Sequence, residues 1–87
     1  MAVLRREQLA SMLPGGSPER PIDVPSASVV EVRARAIPCP QCGGELDVAE
    51  HAAITHEGEP LRRVDARCRQ CGTRRSLWFR LVLVRPN

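Results

Sequence analysis

The sequence predicts a small, mainly β domain with a short helix and an extended linker at its N-terminus. Three observations support this fold class. The chain has 87 residues with one Trp, one Phe and no Tyr, so it has room for one small domain with a marginal apolar core. Several segments alternate apolar with polar residues, as half-buried β-strands do. All four cysteines fall into two matching pairs, which indicates that a metal ion or disulfides link distant segments of the chain.

The N-terminal part is predicted to be an arm outside the folded domain. Residues 3–13, VLRREQLASML, place Leu9 and Leu13 on one side of a short amphipathic helix, so we expect a helical arm over residues 1–13. Residues 14–27 are rich in Pro, Gly and Ser and lack an apolar period, which predicts an extended linker. The folded domain is then expected to occupy residues 28–87.

Three segments of that domain are interpreted as strands or left open. Residues 28–37, SVVEVRARAI, and residues 61–68, LRRVDARC, alternate with period two and are predicted to be strands. In the first of them, one face would carry Val30, Val32, Ala34 and Ala36. Residues 45–55 suit either a strand or a helix, and HEGEP at 56–60 indicates a turn. Residues 45–60 therefore stay open between strand, helix and loop.

The last predicted strand, SLWFRLVLV at 76–84, is apolar on both faces. Its core face would carry Leu77, Phe79, Leu81 and Leu83. The other face carries Trp78, Val82 and Val84. A strand that is apolar on both sides is typically central and covered twice. We therefore expect the Trp78 face to meet the N-terminal helix, a second copy of the chain or another partner.

The cysteines lie in CPQCGG at 39–44 and CRQCGT at 68–73. An even number of cysteines would also suit two disulfides, which are typical of exported proteins. Arg5, Arg6 and Glu7 interrupt the first apolar run, however, whereas the apolar segment of a signal peptide is uninterrupted. We therefore expect a cytoplasmic protein with reduced thiols. Two residues between cysteines let one tight turn aim both sulfurs at one point, and two such turns make a tetrahedral four-thiolate metal site. The expected ligands are Cys39, Cys42, Cys68 and Cys71.

These two turns resemble the knuckles of a zinc ribbon, a rubredoxin-like structural zinc module, and the resemblance covers about residues 28–84. It implies that the four cysteines bind Zn²⁺ and that a three-stranded antiparallel sheet carries the knuckles. Rubredoxin holds iron in similar knuckles, so iron is the alternative metal. Two departures disfavour an electron carrier: Arg69 stands where the rubredoxin pattern has proline, and an aromatic-rich core is missing. The resemblance predicts fold far better than function.

Charge is distributed unevenly along the chain. Residues 1–61 hold five Arg and nine acidic residues, whereas residues 62–87 hold eight Arg and only Asp65. The candidate residues for contact with nucleic acid or an acidic partner are Arg62, Arg63, Arg67, Arg69, Arg74 and Arg75. Arginine binds phosphate in a bidentate manner. The complete absence of Lys is typical of GC-rich coding sequences, so we expect a bacterial protein.

Nothing in the sequence predicts catalysis. A closed four-thiolate site leaves no position for substrate, and His51 and His56 are interpreted as solvent-facing loop residues. No apolar stretch is long enough to span a membrane, and no small-molecule substrate is expected. The sequence favours a non-catalytic interaction module, a subunit or adaptor of a larger assembly or a homo-oligomer. The alternative is a zinc ribbon that binds nucleic acid in transcription or translation.

Overall fold

The computed structural model describes residues 2–82, with side chains from Leu4 onward. Within this range there are two helices, α1 (Ala2–Ser11) and α2 (Ala27–Ala36), and four strands. The strands are β1 (Ile22–Val24), β2 (Leu46–His56), β3 (Glu59–Cys68) and β4 (Arg74–Leu81). They form one sheet in the order β1-β4-β3-β2, with β1 parallel to β4 and the other pairs antiparallel. The small, mainly β class is confirmed, but the sheet is mixed and four-stranded rather than three-stranded and antiparallel.

The first predicted strand is wrong, because residues 27–36 form helix α2. Val30 and Ala34 are four residues apart, so they share one face in a strand and also in a helix. Both are fully buried, whereas Val32, which would share their face in a strand, is 60% exposed. Arg33 and Arg35 lie in the last turn, where positive charge suits the helix dipole. The helix ends at Ala36, and the backbone of the next residue, Ile37, is extended, as is usual before a proline.

The β2–β3 hairpin settles the segment that the sequence left open. Residues 46–56 are a strand, and His56 pairs with Glu59. Glu57 and Gly58, between them, have φ of 49° and 79°, the left-handed pair that a tight hairpin turn requires. The predicted turn at 56–60 and the predicted strand at 61–68 are thus observed. A register shift between Val48 and Glu50 marks a bulge in β2.

The predicted linker contains β1 and the beginning of α2. Ile22 and Val24 pair in parallel with Phe79 and Leu81 of β4, and Val24 is 1% exposed within the core. The proline-rich composition hid this strand because three residues are too few to show a period. Residues 22–24 therefore belong to the folded sheet.

Strand β4 is interior to the sheet, and its two faces differ. Leu77 and Phe79 are buried, as predicted, but Leu81, which pairs with Val24 at the end of the short β1, is 41% exposed. Leu83 and Val84 lie outside the described residues. We call the side of Leu77 and Phe79 the helix-covered face, and the side of Trp78 the open face.

Helix α2 lies against the helix-covered face, and α1 reaches that face through the side chain of Glu7. Helix α2 packs there with Val30 and Ala34 in the core cluster. Glu7 of α1 binds Arg75, which shares this face with Leu77 by strand alternation. Within residues 2–82, no helix covers the open face, where Trp78 and Val82 are half-buried. Neither ten-residue helix is long and apolar enough to cross a membrane.

Val24→Ala tests the role of β1. Removing two buried carbon groups and leaving a cavity is expected to lower the free energy of unfolding by about 2 kcal/mol. Val32→Ala is the matched control, because Val32 is 60% exposed and should change stability by no more than about 0.5 kcal/mol. Urea unfolding of metal-loaded protein, followed by Trp78 fluorescence, measures both. Equal effects would show that residues 22–24 are not part of the core.

Candidate metal centre

The four cysteine sulfurs converge between the two knuckles. All four Sγ atoms lie within 4.8 Å of one another. Cys39 Sγ lies 3.7 Å from Cys71 Sγ, and Cys42 Sγ lies 3.4 Å from Cys68 Sγ. Tetrahedral Zn–S bonds of about 2.3 Å would separate neighbouring sulfurs by about 3.8 Å. The four predicted ligands are therefore positioned to bind one metal ion.

The two knuckles have the same backbone hydrogen bonds. Gly43 N–H donates to the Cys39 carbonyl at 2.7 Å, and Gly72 N–H donates to the Cys68 carbonyl at 3.1 Å. Both glycines have left-handed φ, 78° and 74°, which reverses the chain after the second cysteine of each pair. The N–H of Cys39 also donates to the Gly44 carbonyl, as that of Cys68 does to the Thr73 carbonyl.

Polar groups around the sulfurs change their affinity for protons. The Thr73 hydroxyl lies 3.0 Å from Cys71 Sγ, and hydrogen bonds from Thr73 lower the pKa of the Cys71 thiol to about 6. The Cys71 backbone N–H lowers the pKa of Cys68. At Cys42 the Gly44 N–H lowers the pKa, but the crowded sulfurs, Cys68 first, raise it to about 12. Four thiolates this close together repel one another, so full deprotonation of the cluster requires a cation between them.

Gly44 is a functional residue that the sequence reasoning missed. A Cβ at this position would lie 2.7 Å from Gln70 Oε1, 3.0 Å from Cys68 Sγ and 3.2 Å from Cys42 Sγ. Space for the sulfur cluster therefore depends on the absence of a side chain here. The second glycine in CPQCGG was the available signal, because the other knuckle has Thr73 in the matching place.

A cluster of Glu7, Gln41 and Arg75, the Glu7 cluster, ties α1 to both halves of the site. Gln41, between two ligands of the first knuckle, donates its Nε2 to Glu7 Oε1 at 2.7 Å. Arg75, near the start of β4 after the second knuckle, donates Nη2 to both Glu7 oxygens at 2.8 and 3.0 Å. The Arg75 side chain is only 7% exposed. Arg6 Nη1 adds a hydrogen bond to the Gln41 carbonyl at 3.2 Å.

Two of the six candidate arginines form ion pairs on partly exposed parts of the molecule. Arg69 Nε lies 2.8 Å from Asp47 Oδ1, and its Nη1 lies 3.7 Å from Glu45. Arg63 Nε lies 3.3 Å from Asp65. Such exposed pairs contribute little to stability, typically about 0–1 kcal/mol, but they reduce the positive charge available to a partner.

The other four candidate arginines do not share one surface. Arg75 binds Glu7, and Arg62 pairs in the sheet with Phe79 on the helix-covered face. Arg67 and Arg74 pair with each other across β3 and β4, toward the open face by strand alternation. Within residues 2–82, no carboxylate forms an ion pair with either of these two. Arg67 Nη2 also lies along the second knuckle, 3.8 Å from where a Cβ on Gly72 would be.

The two histidines lie in strand β2 rather than in a loop. His51 Nδ1 lies 3.1 Å from Glu31 Oε2 of α2, and the His51 side chain is 14% exposed. His56 Nε2 lies 3.3 Å from Glu19 Oε1. The metal-ligating cluster of the described residues contains the four cysteines and neither histidine.

No protein-family model matches this sequence, and comparisons with curated proteins and with solved structures find no match. The chain is a small, mainly β domain with a zinc-ribbon-like arrangement of four cysteines that can bind a metal ion.

Gly44→Ala is expected to weaken metal binding about 10–100-fold, the usual cost of disturbing the surroundings of metal ligands, because the new Cβ would press on two ligand sulfurs. Competition against a chromogenic chelator measures the affinity. Gly43→Asn is the control: Asn tolerates left-handed φ, and no atom lies within 4 Å of a Cβ at Gly43. Unchanged affinity in Gly44→Ala would contradict the described packing.

Proposed function

We propose that this chain is a non-catalytic zinc-ribbon interaction module, acting as a small subunit or adaptor of a larger assembly. One observation carries the proposal: Arg6 and Glu7 tie α1 to the domain by polar contacts, while the large apolar side chains on α1 and just after it are exposed. Leu4, Leu9, Met12 and Leu13, on α1 and just after it, are 55–68% exposed. A surface helix normally has the opposite arrangement, and exposed apolar patches mark interaction sites.

Zinc is the proposed metal. Four cysteine sulfurs at tetrahedral spacing are the ligand set of structural zinc sites, which are closed and leave no position for substrate. When bound, zinc would supply the positive charge that lets four crowded thiolates coexist. The knuckles would hold the four sulfurs in place around the ion, and Gly44 leaves room for them. This closed arrangement supports a structural role rather than catalysis.

The Glu7 cluster supports a role for α1 as a fixed rather than a loose element. Glu7 reaches one residue of the first knuckle and one residue just beyond the second. A helix of ten residues is marginal in water on its own, so these contacts hold it in place. Rigid presentation lowers the entropy cost of binding a partner.

The interaction module is tested by affinity capture from source cells with the full, metal-loaded chain. Wild type is expected to retain a discrete set of proteins, and Leu9→Asp with Leu13→Asp is expected to lose them while keeping its metal. Val32→Asp is the control, because it also charges an exposed apolar residue but lies on α2. Glu7→Gln should weaken capture partially by loosening α1. Retention of the same proteins by the double variant would refute the proposed role of α1.

Nucleic-acid binding remains the second candidate, and the Arg67–Arg74 pair favours it. Like charges directly opposite each other on neighbouring strands repel, and a phosphate between them would relieve the repulsion. The zinc–thiolate centre, which carries net negative charge, offers a competing explanation, because Arg67 lies along the second knuckle. The dispersal and pairing of the other candidate arginines favour the protein-interaction proposal.

A salt titration separates the two candidates. If Arg67 and Arg74 contact phosphates of duplex DNA, replacing both with Ser should reduce the slope of log affinity against log salt by about 1.8, or about 0.9 per phosphate. Arg33→Ser is the control: Arg33 occupies an exposed position on α2, and its replacement should leave the slope unchanged. The interaction proposal predicts no binding of DNA or RNA that depends on Arg67 and Arg74.

A further inference from the structure

An apolar groove lies beside α1 on the helix-covered side of the molecule. One wall is the end of α1 and the following turn, with Ala10, Leu13 and Pro14. The other wall includes Ile37 and Pro40, and Leu77 of the core lies at the bottom. The groove encloses about 310 Å³, and every lining residue except Arg75 is apolar or glycine.

The groove reaches the exposed apolar residues at the end of α1. Leu13, just after the helix, both lines the groove and is 58% exposed, and Leu9, four residues earlier on α1, is 55% exposed. An occupant would therefore place side chains in the groove and also lie along the helix. That shape suits an amphipathic protein segment, which inserts apolar anchors into a groove, better than a small molecule that fills only the cavity.

The charges around this surface are positive. Arg5 and Arg6 are exposed on α1, and Arg20 Nη1 reaches the Met12 carbonyl at 2.7 Å. Glu7, the single acidic residue of α1, has both carboxylate oxygens bound by Arg75. Its negative charge is therefore neutralised within the domain, and the rim that a partner meets is basic.

We propose that this groove and α1 bind an acidic amphipathic segment of another protein, an inference that rests on the proposed interaction function. Acidic residues flanking the apolar anchors would face Arg5, Arg6 and Arg20, and such complementarity sets specificity and association rate. A second copy of the chain fits poorly, because a two-fold interface brings the same basic surface to both sides. A lipid surface fits less well, because it offers no side chain to fill a concave groove.

A displayed library of helical peptides tests the inference. The peptides carry leucines spaced at i, i+4 and i+7 and randomised residues between them, and they are selected on the full metal-loaded chain. We expect the enriched peptides to contain an excess of Asp and Glu. Their affinity should fall about tenfold or more with Leu13→Asp, the loss expected from one unburied Leu. Leu9→Asp is the second variant, and metal content and circular dichroism verify folding of each.

A charge-reversal variant provides the decisive comparison in this experiment. The triple change Arg5→Glu, Arg6→Glu and Arg20→Glu should switch the enriched peptides from acidic to basic. Peptides without an acidic excess, or with a preference that the reversal leaves unchanged, would overturn the inference, as would exclusive binding to phosphatidylserine vesicles or to a second copy. If capture from cells still depends on Leu9 and Leu13 in such a case, the interaction function stands and only the acidic partner is refuted.

Discussion

The convergence of four sulfurs between two knuckles is the constraint on which the rest of the structure depends. The knuckles join α2 to β2 and β3 to β4, so one metal ion would connect the helix and the three long strands. Cys39 and Cys68 are each 2% exposed and belong to the same cluster as the apolar core. The metal site and the core are therefore one unit in a chain with a single Trp and a single Phe. For such a site, binding free energy is also folding free energy.

The Glu7 cluster extends this dependence to the surface of the molecule. Gln41 lies between two ligands in sequence, and Arg75 lies four positions after the ligand Cys71. Glu7 can bind both only while the knuckles are held together. The position of α1, and with it the exposed leucines and the groove, is therefore coupled to closure of the sulfur cluster through Glu7. The proposed interaction surface would in this way depend on the metal site.

The sequence predicted the parts of the molecule that depend on local chemistry. The cysteine spacing identified the knuckles, and alternation identified the paired parts of β3 and β4. Helix α2 was missed because its buried Val30 and Ala34 fit both periods, and β1 because a three-residue parallel strand leaves no pattern. The Glu7–Arg75 contact joins residues 68 positions apart, so no local signal could reveal it. The dispersal of the arginines likewise depends on which face each strand position occupies.

The direct test of the central claim is X-ray absorption at the zinc edge of purified, zinc-loaded protein. We expect one zinc per chain surrounded by four sulfurs at about 2.3 Å, and loss of the folded state when a strong chelator removes the ion. A first shell that contains nitrogen or oxygen, with fewer than four sulfurs, would contradict the closed four-thiolate site. Protein that stays folded without metal would contradict the dependence of the fold on it.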